Sequence, residues 1–111
     1  MTSCRVTSEL WVSALRKRLT SNAIPFFLIK KGDKQAGAIL IRVCYINGKS
    51  KIFEQVPSID GERQWLETKY GPDDEVEKVL KKHREFDNDV WILEIEEFKG
   101  INIFEKFLQP T

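Results

Sequence analysis

Ala38-Ile39-Leu40-Ile41-Arg42-Val43-Cys44-Tyr45-Ile46 is the stretch that decides the fold, and Asn47-Gly48 follows it directly. A nearly unbroken apolar run rich in β-branched residues suits a strand buried on both faces, because a strand with one wet side alternates. Asn-Gly is the strongest short hairpin signal, since a type I′ turn needs positive φ at both central positions. The return strand is expected over residues 49–56. A two-residue turn fixes register, so Ile46 faces Lys49, Val43 faces Ile52 and Ile39 faces Val56. One face of this hairpin then carries Ile39, Ile41, Val43, Ile52 and Val56. The other carries Leu40, Arg42, Cys44, Ile46 and Phe53. Both faces are apolar enough to need cover, which one helix cannot give.

Working outward, Thr7 or Ser8 is placed to cap a helix, with Glu9 in its first turn where a carboxylate complements the dipole. Leu10, Trp11, Ala14, Leu15 and Leu19 recur at helical spacing, and Pro25 prevents the helix from resuming. Phe26-Phe27-Leu28-Ile29 reads as a short strand. Beyond the hairpin, Pro57 and Asp60-Gly61 break the chain, and residues 63–70 favour a third meander strand over a helical turn. Gly71-Pro72 opens a second helix that runs to about Glu85. Acids stand at its start and Lys81-Lys82-His83-Arg84 at its end, matching the macrodipole. Asp87-Asn88-Asp89 is a turn. Residues 90–98 form the last clear strand, with Trp91, Leu93 and Ile95 on one side and Val90 and Ile92 on the other. An apolar tail follows Lys99-Gly100. The prediction is an α+β single compact domain over residues 1–111. It has a core over 8–100, a tail over 101–111 and a mainly antiparallel sheet of four to five strands. Two helices flank the central hairpin.

A chain of 111 residues suits one domain and buries a core without staples. With 41% hydrophobic and 32% charged residues it is neither disordered nor membrane-spanning in composition. The formal net charge of +1 gives no general attraction to nucleic acid or anionic lipid. Cys4 and Cys44 have no paired-cysteine spacing, and no signal segment is visible, so a reduced cytoplasmic setting is expected.

Three stretches carry a resemblance: Glu9-Leu10-Trp11-Val12-Ser13-Ala14, the loop and strand start from Gly32-Asp33-Lys34-Gln35-Ala36-Gly37 to Leu40, and Asp87-Asn88-Asp89-Val90-Trp91-Ile92-Leu93-Glu94-Ile95-Glu96. Together they resemble an alphaproteobacterial family of small proteins of unknown function, in the same order, from about Ser8 to Gly100. The resemblance implies a compact bacterial cytoplasmic domain. It implies no activity, substrate or cofactor. The chain departs from the family pattern at Asn88, where proline is common, and in a tail less polar than usual.

Several residues are candidates for chemistry. Gly32, Asp33 and Gly37 form a loop before the buried strand, a common place for function, although Asp beside Gly is also an ordinary turn cap. His83, Asp87 and Asp89 offer metal-ligating atoms, against the alternative that such aspartates satisfy backbone donors. Asp60, Glu67 and Lys69 loosely match the acid and Glu-x-Lys set of metal-dependent nucleases, a motif that requires residues 63–70 to be a strand. Arg16, Lys17, Arg18, Lys30, Lys31 and Lys34 would bind phosphates if they converge. Ile101, Ile103, Phe104, Phe107 and Leu108 form a sticky tail that must either fold back over Leu40, Ile46 and Phe53 on the hairpin's second face or dock on another subunit. His83 is the only histidine, so no nucleophile–base pair is in view, and no cofactor is predicted. The reading that results is a non-enzymatic interaction module, homo-oligomeric or bound to a protein partner. The alternative is a nucleic-acid-binding or metal-dependent nuclease-like domain.

Overall fold

The computed structural model describes residues 6–56, 64–97 and 100–108. Its elements in chain order are α1 (Ser8–Ser21), β1 (Phe26–Lys30), β2 (Ile39–Tyr45), β3 (Lys49–Val56), β4 (Gln64–Pro72), α2 (Asp73–Phe86), β5 (Trp91–Glu97) and a short π-helical turn, Phe104–Leu108. The five strands form one sheet in the order β1-β5-β2-β3-β4. β5 runs parallel to β2, and every other pairing is antiparallel. The α+β class and the mostly antiparallel sheet are as expected, and the strand expected over 63–70 is present from Gln64 on.

β2 is buried on both faces because each face has its own core. On one side Ile39, Ile41, Val43 and Phe53 join Trp91, Leu93 and Ile95 beneath Val12, Leu15 and Leu19 of α1. On the other, Leu40, Ile52, Val90 and Ile92 pack on Val76 and Leu80 of α2. The predicted alternation of β5 is therefore correct.

The predicted hairpin register is not. Val43 pairs with Lys51 and Ile41 with Phe53, one residue away from the expected pairing. Gly48 takes positive φ, at 79°, but Asn47 does not, so the turn is not type I′. Instead Gly48 N–H donates to Tyr45 O, and Asn47 Oδ1 accepts from Lys49 N–H. This is the three-residue loop in which a left-handed glycine closes a type I turn. A slip of one residue moves side chains to the opposite face. Ile52 consequently lies under α2 and Phe53 under α1, the reverse of the expected placement, while Ile46 is exposed.

α1 is also rotated from expectation. Leu10 is 59% exposed, whereas Ser8, Val12, Leu15 and Leu19 form the buried stripe. Ser8 sits inside because its Oγ donates to Gly37 O at 2.7 Å. The helix ends with Ala23 in the left-handed region at φ 57°, and with Ile24 N–H bonded to Leu19 O and Ala23 N–H to Thr20 O. That is a Schellman ending, and Ile24 and Leu19 are both buried in the same apolar core.

The tail belongs to the core. Ile103, Phe107 and Leu108 are buried with α1 and the sheet, and Phe104 stacks on Phe53 at 5.0 Å. Arg18 reaches over the Phe107 ring and toward the carbonyls of Lys106 and Phe107. The segment folds back over Phe53, as one of the two expected arrangements has it, but on the α1 face and away from Leu40 and Ile46. Its buried members are therefore not surface for another subunit.

Candidate functional site

The Gly32–Gly37 loop is placed by backbone proximity. A Cβ on Gly32 would overlap the Asp89 carbonyl oxygen and approach Trp91 Cδ1 to 2.6 Å, and a Cβ on Gly37 would meet the same carbonyl. Asp33 Oδ2 accepts from the N–H groups of Gln35 and Ala36, closing an Asx turn. Asp33 N–H donates to Asp89 O, and Trp91 Nε1–H donates to Asp33 O at 2.7 Å. The loop's other side meets the start of α1, where Ser8 and Glu9 N–H donate to Gln35 O and Lys34 O. The three stretches that carried the family resemblance thus meet at one junction, and its contacts are structural.

The metal reading loses its geometry. Asp87 Oδ1 accepts from Asp89 N–H, and His83 Nε2 lies 4.0 Å from Glu54 on β3. Among the described residues no group of three or more histidines, cysteines or acids is arranged to hold a metal ion. The nuclease set is likewise split. β4 bulges between its pairings with Ile52 and Phe53, so Lys69 lies opposite Ile52 and Glu67 opposite Phe53. Those partners belong to different faces, and an extra residue at a bulge is what reverses the alternation. Asp60 lies outside the described residues. Several of the basic residues have internal partners: Lys30 bonds the carbonyls of Asn88 and Val90, and Lys31 pairs with Glu9.

Two polar features were not legible as sites. Arg42, in the middle of β2, is buried on the α2 face among Asp73, Glu77 and Glu94, at 3.5, 3.6 and 3.7 Å. Its Nε donates to Ser50 Oγ, whose hydroxyl donates to Asp73 Oδ1. This network ties the start of α2 to β2, β3 and β5. Burial raises the Glu94 carboxyl, against the opposing pull of Arg42. Burial also pushes the neighbouring Cys44 thiol up to about 11, with Glu94 adding to the effect, so the thiol is not an activated nucleophile.

The second feature is a cleft of about 870 Å³ at the hairpin end of the α1 face. Val43, Phe53 and Phe104 give it an apolar floor. Tyr45 and Tyr70, edge to face with ring centroids 6.3 Å apart, and Lys51 line the strand side. Glu67, Glu97 and Glu105 bring three carboxylates from β4, β5 and the tail. Glu97 is fixed by accepting from Ile103 N–H at 2.9 Å. Burial and the nearby Glu97 and Glu67 push the Tyr45 phenol up to about 12.

A third feature is the sheet edge. Among the described residues β5 is the only strand neighbour of β1. Phe27, Leu28 and Ile29 are 46%, 42% and 47% exposed in succession. Glu96 N–H donates to Pro25 O, so alternation along β1 turns the backbone groups of Phe26 and Leu28 outward.

A family model described as a protein of unknown function, DUF1491, matches residues 6–105. This chain belongs to the DUF1491 family. The solution structure of an A. tumefaciens protein superposes with a TM-score of 0.79 at 28% identity, covering 97% of this chain and 99% of that one. A crystal structure of a DUF1491 protein from Caulobacter crescentus gives 0.74 at 28% identity over 83% and 88% of the two chains. An NMR structure of a DUF1491 protein from the same organism gives 0.77 at 26% identity over 89% and 92%. No curated protein matches. The expected alphaproteobacterial family is thus the right one, and DUF1491 membership assigns no activity. Among the described residues no helix is long and apolar enough to cross a membrane.

Proposed function

We propose that this DUF1491 domain is a non-catalytic interaction module that assembles through its open edge strand, with a second copy of the same chain as partner. The observation that carries the reading is β1: three consecutive large apolar side chains, each more than two-fifths exposed, on a strand that has no second strand neighbour among the described residues. Natural proteins normally cover or charge such an edge, because its unpaired backbone groups template another strand. The sequence of β1 is suited to its own copy. Antiparallel pairing about Leu28 sets Leu28 against Leu28 and Phe27 against Ile29, both apolar matches. It places the two Lys30 side chains at opposite ends of the ribbon, so no like charges oppose. The outward backbone groups of Leu28 supply the central hydrogen bonds.

A ribbon of five residues per chain is a small interface, below about 1,200 Å², so the association is weak and concentration-dependent. The absence of a nucleophile–base pair and the separation of Glu67 from Lys69 support a binding role over a nuclease one. A cytoplasmic setting accords with the free Cys44 thiol. Sedimentation equilibrium across a wide concentration range tests the proposal. The wild type should shift from one chain to two, and Leu28→Lys, which sets two ammonium groups face to face, should remain a monomer with an unchanged unfolding midpoint. A wild type that stays monomeric at the highest concentration, or a Leu28→Lys variant that still dimerises, overturns it.

A further inference from the structure

We infer that the cleft between the β2–β3 hairpin and the tail binds a small aliphatic amine or guanidine. The cleft has the composition of a ligand site: an apolar floor with a few polar groups converging above it. Among the described lining residues three carboxylates face one ammonium, Lys51, and with Lys49 Nζ standing 5.8 Å from the Tyr70 ring centre beside the cleft the balance still favours cations. Two tyrosine rings add electron-rich faces, the preferred partners of ammonium and guanidinium groups.

The chain itself supplies an occupant that reports this preference. Lys51 Nζ lies 5.5 Å from the Tyr70 ring centre and 6.0 Å from that of Tyr45, and 3.3 Å from Glu67. An ammonium group therefore already rests between the rings and a carboxylate. It neutralises Glu67 and leaves the tail side unbalanced. There Glu97 keeps one oxygen beyond its bond to Ile103, and the exposed Glu105 adds a full charge. A ligand with a cationic head and a short methylene body would set its head near Glu97 and Glu105 and its body over Phe53 and Phe104. A second charged end, a few carbons away, would compete with Lys51 for the tyrosine rings and Glu67.

Agmatine, with a guanidinium and an amine on four carbons, is the probe. NMR titration at low salt should give saturable shifts confined to Tyr45, Tyr70, Phe104 and Glu105. Succinate should give none. Glu105→Gln removes one charge from an exposed position and should weaken binding about threefold to fivefold at an unchanged unfolding midpoint. Tyr70→Leu keeps the apolar volume but loses the ring face, and should weaken binding about threefold. Lys51→Met should act in the opposite sense and tighten it, because the resident cation no longer competes. A purely structural role for Lys51 would not produce that gain. Shifts that never saturate at tens of millimolar agmatine, shifts spread over all acidic surfaces, or a Lys51→Met variant that binds no better each overturn the inference.

Discussion

Gly32→Ala should be among the most damaging single-atom additions in this chain, and the structure sets its size. The new Cβ would overlap the Asp89 carbonyl and stand 2.6 Å from Trp91 Cδ1. Carbon contacts settle at about 3.5–4.0 Å, so the loop must move by about 1 Å. The obstacle is backbone and a buried indole, and neither yields as a flexible side-chain tip would. That displacement breaks the Asp33 N–H bond to Asp89 O at 3.0 Å and the Trp91 Nε1–H bond to Asp33 O at 2.7 Å. Each hydrogen bond contributes about 1 kcal/mol net, and forced repacking costs about 1–3 more, giving about 3–5 kcal/mol. For a domain near 100 residues that lowers Tm by about 12–20 °C. Urea and thermal unfolding followed by tryptophan fluorescence measure it, since Trp91 sits in the joint. Gly48→Ala is the internal control. It also lies at positive φ but has open space around it, so it should lose only about 1–2 kcal/mol for the left-handed backbone. A Gly32→Ala variant within 1 kcal/mol of wild type, or no worse than Gly48→Ala, would refute the close-approach argument.

Ala23→Gly should stabilise the domain by about 0.5–1 kcal/mol, because Ala23 holds the left-handed Schellman position that glycine fills without a Cβ penalty; a lower urea midpoint would contradict this. Alkaline stability should depend on Cys44. Its folded value is raised from 9.0 to about 11, so within that window the folded chain keeps a proton that the unfolded chain has lost, and stability falls as pH rises. Cys44→Ala should flatten the decline of the urea midpoint between pH 9 and 11, leaving the later contribution of Tyr45; parallel profiles for the two proteins would show that the thiol is not shielded.

The backbone plan was readable where one short segment carries the signal. An unbroken apolar run gave β2, strict alternation gave the two faces of β5, and acids followed by bases marked both ends of α2. The failures lie where two conformations share one sequence. Asn47-Gly48 serves a type I′ turn or a type I turn closed by Gly48, and the difference is the sign of φ at Asn47, which asparagine tolerates either way. That single angle exchanged Ile52 and Phe53 between cores. The bulge in β4 did the same to Glu67 and Lys69, and no local residue preference announces it. Leu10 fits the helical period but faces water, because Ser8 has a buried partner 29 residues away and sets the helix rotation. Asp33 was legible as a turn cap from its glycine neighbours. The cleft was not, since residues near positions 45, 51, 67, 97 and 105 have no shared spacing and meet only after the strands pair.

The placement of β5 between β1 and β2 has a consequence for how the chain is made. On a ribosome β1 emerges early, yet its ladder partner β5 is among the later segments to be synthesised. Until β5 arrives, Phe26-Phe27-Leu28-Ile29 has no strand to pair with and Trp91 has not closed the joint with the Asp33 loop. The hairpin β2–β3 and its neighbour β4 can form during that interval, because their contacts are nearly sequential. The parallel seam cannot, and pairings of long sequence separation are slow to close. A nascent chain would therefore carry its most adhesive segment unprotected for most of its synthesis, and nascent-chain chaperones should engage it at β1.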